Sequence, residues 1–181
     1  DFISKPHVNP NCGNLSNAAF YFFDKTIFKY LPEKMEGIVD WGKDIFPKMV
    51  AKKEKMNVYR GTEYIKDIGT KERILKANND FNKGKILSRN YKNKQRAIFF
   101  DRDGVINDEI DGVYEISKFK LRDEAAEILR RVNLSNFLAI CVTNQPGIAK
   151  GFMKIEDLIQ IHNKMEWLLA NANGSFFDDI Y

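Results

Sequence analysis

Two aspartates with one residue between them, Asp101 and Asp103, stand where a short apolar run ends: Ala97-Ile98-Phe99-Phe100-Asp101-Arg102-Asp103-Gly104-Val105. A run of this length reads as a buried strand, and Gly104 marks the turn after it. Strand side chains alternate between faces, so Asp101 and Asp103 share a side while the backbone stays extended. Two carboxylates at a strand's carboxyl end can hold a divalent cation and attack phosphorus. Carboxylates this close resist ionising together without a cation, so one becomes the better acid and the other pairs with metal. A second segment has complementary chemistry. Thr143-Asn144-Gln145-Pro146-Gly147-Ile148-Ala149-Lys150-Gly151 follows the apolar run 137–142. If the two strands are neighbours in a parallel sheet, Thr143 and Asp101 meet at one edge. One loop then brings carboxylates, and the other a hydroxyl, amides and a glycine-containing turn. That combination suits a phosphoryl group.

The elements that must position these residues alternate. Strands over 97–100, 137–142 and 176–181 are separated by helices over 124–132 and 155–172. This rhythm predicts an α/β fold with a parallel sheet and helices on its faces. Right-handed crossovers put the strand carboxyl ends, where ligands bind in such sheets, along one edge. On the last helix Ile155, Leu158, Ile159, His162, Met165 and Leu169 form the apolar stripe, and His162 reads as packed rather than catalytic. Residues 1–82 form an earlier unit. It has an extended apolar segment over 14–23, a helix over 25–30 capped by Asp24, and a helical stretch over 40–51 with Trp41, Ile45, Met49 and Val50 on one side. A short strand over 56–59 follows, then a helix over 71–82 capped by Thr70, with Ile74, Leu75 and Phe81 as its apolar side. Between the units, 83–96 carries Lys83, Lys85, Arg89, Lys92, Lys94 and Arg96 and no acid. It reads as a solvated basic linker; nothing else organises a basic face for nucleic acid.

Composition bounds the rest. The 181 residues carry a formal charge of +4, with 44% hydrophobic and 30% charged residues, ordinary values for a folded chain with one domain or parts of two. Cys141 lies in an apolar run and reads as a small buried hydrophobe, while Cys12 lies in a polar loop. Neither a disulfide framework nor a zinc spacing is present, which fits a reducing, cytoplasmic setting. No apolar run approaches the ~20 residues needed to cross a membrane, and no signal peptide is visible. Neither a membrane nor a nucleic-acid partner is expected. The chain starts at Asp1 without a methionine and stops at Ile180-Tyr181 inside an apolar run, so it is expected to be a fragment of a longer protein.

Asp101-Arg102-Asp103-Gly104-Val105-Ile106-Asn107, taken with Thr143 to Gly151, resembles the haloacid dehalogenase-like (HAD) phosphatases. Within them it is most similar to the D-glycero-D-manno-heptose 1,7-bisphosphate 7-phosphatases; the histidinol-phosphate phosphatases are close relatives. The resemblance covers residues 97–181, the amino-terminal half of such an enzyme with its Rossmann-like parallel-sheet core. It implies Asp101 as the nucleophile that becomes an aspartyl-phosphate, and Asp103 as the general acid and then base. Asp101 and the Asp103 carbonyl would hold Mg²⁺. Thr143 would bind the transferring phosphoryl group, with Asn144 and Lys150 near the substrate. The family's later lysine, its further acidic motif and the cysteine/histidine zinc loop of the heptose group have no counterpart here. Asp178 and Asp179 read as polar residues leading into a strand. Zn²⁺ is therefore expected only in a missing carboxyl-terminal part. This polypeptide alone is expected to hydrolyse phosphate esters poorly or not at all.

The first unit is similar to the carboxyl-terminal part of sugar-1-phosphate nucleotidyltransferases of the mannose-1-phosphate guanylyltransferase-like group. The residues that carry this are Ile3-Ser4-Lys5-Pro6, the run Asn14 to Phe23, Asp44-Ile45-Phe46-Pro47 and Tyr64-Ile65-Lys66-Asp67-Ile68-Gly69-Thr70. The resemblance implies that Lys5 faces the sugar phosphate, Asn17 contacts the sugar and Asp67 is a metal-binding aspartate. Ser4 replaces a glutamate that contacts sugar hydroxyls in the family. From the residues alone, Asp67 also suits a helix-entry loop and Asn17 an ordinary strand end. The family's glycine-rich nucleotide segment and first metal aspartate are missing, so GTP is expected as a partner only of a complete protein.

The order of the two resemblances implies a fusion. A phosphatase that leaves heptose 1-phosphate would feed a transferase that activates it, giving an NDP-heptose, GDP-heptose for preference, for surface polysaccharide. Two alternatives stand beside it: an inactive fragment that binds sugar phosphate, and a phosphatase acting on histidinol phosphate or another small ester.

Overall fold

The computed structural model describes residues 17–32 and 37–181. Among these, 17–60 and Gly61–Tyr181 form separate compact units.

In the first unit Asp24 opens a 3₁₀ helix, Lys25–Tyr30, by accepting the Thr26 N–H (2.9 Å). The stretch expected as one helix over 40–51 is a wide π-type turn, Trp41–Ile45, followed by α1, Phe46–Ala51. Asp40 caps the turn through the Lys43 N–H (2.9 Å). Pro47 falls in the first turn of α1, where a missing N–H leaves no helical bond unmade. Ile27, Tyr30, Ile45 and Phe46 are the core, flanked by Tyr21, Trp41 and Met49. The strand expected at 56–59 does not form. Val58 and Tyr59 are both 77% exposed, and a β segment without a ladder partner leaves its backbone groups to water. Residues 17–23 likewise hold no regular element.

The second unit begins with α2, Lys71–Asn82, where the Thr70 hydroxyl accepts the Arg73 N–H (3.3 Å). Its expected apolar side is not buried: Leu75 is 69% and Phe81 60% exposed. Gly84, left-handed at φ 73°, separates α2 from the single turn α3, Lys85–Ser88. The solvated picture of 83–96 gives way at two positions. Lys85 Nζ donates to the Asn133 carbonyl (2.9 Å), and Arg89 is buried in an ion pair with Asp178. A buried carboxylate and a carbonyl in the last turn of a helix need donors, and this basic segment supplies them.

The sheet is parallel, in the order β1 (Arg96–Phe100), β2 (Phe137–Cys141), β3 (Asp179–Ile180). β2 is central and nearly all buried. β1, expected to be buried, is half-exposed, with Phe99 open to solvent; among the described residues it pairs only with β2. α4 (Ala125–Leu134) and α5 (Ile155–Asn173) cover the sheet, with Leu129, Ala139, Ile161, Met165 and Leu169 fully buried between them. The buried line of α5 runs through Ile161, Met165 and Leu169, while Ile155 and Ile159 are half-exposed, so the stripe is rotated from the expected one. Cys141 is buried as expected, and burial pushes its thiol up to about 12. Among the described residues no helix is long and apolar enough to cross a membrane.

Candidate functional site

The parallel register pairs Phe100 with Cys141, and the Val142 N–H donates to the Phe100 carbonyl (2.8 Å). The chain therefore leaves β1 at Asp101 and β2 at Val142-Thr143 side by side, at the carboxyl edge of the sheet. The Thr143 N–H donates to the Tyr181 carbonyl (2.9 Å), which holds this loop against the end of β3.

Asp101 and Asp103 are not brought together by strand alternation. The strand ends at Phe100 and a tight turn begins. The Arg102 carbonyl accepts N–H groups from Ile106 (2.8 Å) and Asn107 (3.1 Å), and the Gly104 N–H donates back to the Asn107 carbonyl (2.9 Å). Gly104 sits at φ 78°, where a Cβ would strain the backbone and meet Glu109 Oε2 at 3.2 Å. Asp101 is exposed, and its Oδ1 accepts the Arg102 N–H (2.7 Å).

Asp103 is the junction of the site. Arg102 Nη2 donates to both of its oxygens (3.0 Å each) and Asn107 Nδ2 to Oδ1 (3.0 Å). Gln145 Nε2 donates to Asp103 Oδ2 (2.7 Å) and also to Thr143 Oγ1 (2.8 Å). Burial alone would raise the Asp103 pKa. The Asn107 hydrogen bond, the Arg102 charge and hydrogen bonds, and the Gln145 amide outweigh it and hold the carboxyl below its ordinary value. The Arg102 guanidinium is fully buried, with His162 Nε2 of α5 at 3.4 Å from Nη1. Burial, then the Arg102 charge, pushes His162 down to about 4, so it is neutral at pH 7. Arg has no acceptor, so Nε2 is the lone-pair nitrogen and Nδ1 carries the proton.

The remaining residues singled out in the sequence are distributed as follows. Asn144 and Lys150 are exposed on the second loop, and the Lys150 N–H donates to the Pro146 carbonyl (3.0 Å). Gly147 is buried under the Tyr114 ring, where a Cβ would lie 2.5 Å from a ring carbon. In the first unit Asn17 Oδ1 accepts the Ala19 N–H (2.8 Å) and its Nδ2 donates to the Tyr21 hydroxyl (2.7 Å). Asn17 lines an open hollow of about 480 Å³ with Tyr21, Asp40 and Trp41. Asp67 lies in the turn before α2, where Oδ1 accepts the Gly69 N–H (2.9 Å) and Oδ2 pairs with Arg73. Lys5, with Ser4 and Cys12, lies outside the described residues. Arg102, Asn107 and Gln145 were not anticipated. Gln145 had one legible signal: it stands two residues after Thr143, a spacing that gives both side chains one direction in an extended loop.

Among the described residues no cluster of three or more His, Cys, Asp or Glu side chains is placed to hold a metal ion. The donor set at the turn is oxygen only: the open Asp101 carboxylate and main-chain carbonyls, that of Asp103 among them. This suits Mg²⁺, which takes one or two carboxylates and keeps several waters.

Comparison with known proteins gives two partial likenesses. Residues 1–84 match the nucleotidyl transferase family model, which ends at Gly84, inside the second compact unit. The rest of the chain is similar to heptose-bisphosphate phosphatases. The D-glycero-beta-D-manno-heptose-1,7-bisphosphate 7-phosphatase of Pasteurella multocida (strain Pm70) is 38% identical over 87 residues, 48% of this chain and 47% of that protein. The corresponding alpha-named phosphatase of Burkholderia mallei is 38% identical over 88 residues, 49% of this chain and 46% of that protein. A crystal structure of the D,D-heptose 1,7-bisphosphate phosphatase from B. bronchiseptica, complexed with magnesium and phosphate, aligns with 30% identity and a TM-score of 0.46, covering 48% of this chain and 49% of that one. The chain spans about half the length of the curated relatives it matches. One segment of the chain thus matches the nucleotidyl transferase model, and another, with a small parallel sheet, is similar to heptose-bisphosphate phosphatases.

Proposed function

We propose that residues 97–181 carry the nucleophile side of a sugar-phosphate phosphatase that removes the 7-phosphate of a heptose 1,7-bisphosphate. The observation that carries this reading is the meeting of the 101–107 and 143–151 loops at one sheet edge, joined through Gln145. An Asp101 oxygen attacks phosphorus, and the bond from phosphorus to the sugar oxygen breaks as Asp103 gives that oxygen its proton. Asp103 then takes a proton from water, whose oxygen attacks phosphorus and releases Asp101 and phosphate. Mg²⁺, when bound, offsets the phosphoryl charge. The hydrogen bonds on Asp103 keep it ionised before substrate arrives. An incoming phosphate dianion opposes that charge and raises the carboxylate's proton affinity, so Asp103 takes from solvent the proton that it then gives to the sugar oxygen. Thr143 holds a phosphoryl oxygen, and Asn144 and Lys150 lie toward the substrate.

In the same proposal residues 1–82 are the sugar-side part of a nucleotidyltransferase, and Lys5, Asn17 and Asp67 would take the sugar-phosphate, sugar and metal roles that the resemblance implies for each. A complete cytoplasmic protein would use GTP to make GDP-heptose, and any Zn²⁺ would belong to its further phosphatase half. The test is ³¹P NMR of heptose 1,7-bisphosphate with the chain and Mg²⁺. Slow loss of the 7-phosphate that disappears in Asp101→Asn supports the reading. Release that survives Asp101→Asn, loss of the 1-phosphate instead, or neither turnover nor Mg²⁺-dependent phosphate binding overturns it.

A further inference from the structure

We infer that Gln145 is a positioning residue that fixes the spacing of Asp103 and Thr143 and sets the direction of the Thr143 hydroxyl; this rests on the phosphatase reading above. A carboxamide nitrogen carries two protons. In Gln145 one serves Asp103 Oδ2 at 2.7 Å and the other Thr143 Oγ1 at 2.8 Å. The bridge runs between residues 42 apart in sequence and between the ends of neighbouring strands. Its effect on Thr143 is chemical as well as spatial. A hydroxyl has one proton and two lone pairs, and here a lone pair is taken by Gln145. The Thr143 proton is left to donate elsewhere, as an anionic oxygen requires. Asp103 has its other oxygen held by Asn107 and both held by Arg102. Gln145 is the contact that refers this carboxylate to the second loop.

Two replacements of similar size separate the bond from the bulk. Gln145→Met keeps volume and removes both donors. Gln145→Glu keeps shape and reverses the polarity: a carboxylate accepts the Thr143 proton and repels Asp103. The probe is inorganic phosphate with Mg²⁺, titrated into the whole chain and read by ³¹P line shape, with melting curves to establish folding. The expected result is about tenfold weaker phosphate binding in Gln145→Met, and weaker still in Gln145→Glu, since hydrogen bonds to charged groups carry this order of energy. The ¹⁵N-resolved side-chain amide of Gln145 gives a signature that a merely structural role does not move: without ligand, and relative to the wild type, one amide proton shifts in Thr143→Val and the other in Asp103→Asn. Wild-type binding that Gln145→Met leaves within twofold, or an amide indifferent to both partner variants, overturns the inference. No phosphate binding by the wild type overturns the phosphatase reading and this role with it.

Discussion

Arg89→Ala tests whether the basic segment is part of the second unit's core. The Arg89 and Asp178 side chains are 5% and 4% exposed, so the pair is desolvated, and Arg89 Nη2 also donates to the Phe137 carbonyl (3.3 Å). Asp178 is needed twice more: its Oδ2 accepts the Ala139 N–H (2.8 Å), and its own N–H donates to the Ala139 carbonyl (2.8 Å). Removing Arg89 strands a charge that the fold cannot expel without unzipping β3. Breaking a buried pair from one side costs about 3–5 kcal/mol. At about 4 °C per kcal/mol for a unit of this size, Tm falls by about 12–20 °C. The exposed pair Arg73–Asp67, at 51% and 71%, is the control, and Arg73→Ala should cost under about 1 kcal/mol. The double variant Arg89→Met/Asp178→Asn should be milder than Arg89→Ala, because an amide oxygen still accepts from Ala139 and no charge is left unpaired. Urea unfolding followed by far-ultraviolet circular dichroism measures all three. A cost for Arg89→Ala within about 1 kcal/mol, or a double variant no better than the single, refutes the reasoning.

Gly104→Ala should cost about 1–2 kcal/mol, measured by urea unfolding, because the residue sits at φ 78° and its new methyl meets Glu109. Asn133→Leu should cost about 2–3 kcal/mol by the same measure. The buried amide both donates to the Phe176 carbonyl (2.9 Å) and accepts the Phe176 N–H (3.0 Å), and both are left unpaired. His162, ordinarily 6.5 and pushed down to about 4, lets the unfolded chain take up a proton that the native state refuses. Stability is therefore full above pH 6.5 and falls toward pH 4, by on the order of 2 kcal/mol for this partly exposed ring. His162→Gln, which keeps an acceptor for Arg102, should lose less across that window when urea midpoints are compared. The chain should not exchange pyrophosphate into GTP; exchange above background contradicts the reading of residues 1–82.

The sequence was most legible where one element suffices. Asp24 and Thr70 were readable as caps because a cap needs only the next three residues. β2 announced itself through a continuous apolar run, and alternation of strands and helices gave the parallel sheet. Where a partner far along the chain decides, the pattern misled. Arg89 looked solvated because Asp178, 89 residues away, is invisible to local composition. β1 looked buried because its apolar run does not say how many neighbours it has. Among the described residues the 56–59 run forms no strand, and Leu75 and Phe81 of α2 stay exposed, because an apolar pattern does not say what it packs against. At the site, the aspartates and Thr143 were visible as residue types. The junction that Arg102, Asn107 and Gln145 make around Asp103 depends on a turn whose shape comes from main-chain bonds, which no spacing rule reports.

The most direct measurement is a backbone amide NMR titration of the chain with inorganic phosphate in the presence of Mg²⁺. Gly104 and Val105 in the first loop and Gln145, Gly147 and Ile148 in the second should move together with a single binding constant, and lose that response without Mg²⁺. Shifts confined to one loop, two groups of amides that saturate separately, or no response at all would contradict a shared phosphate pocket.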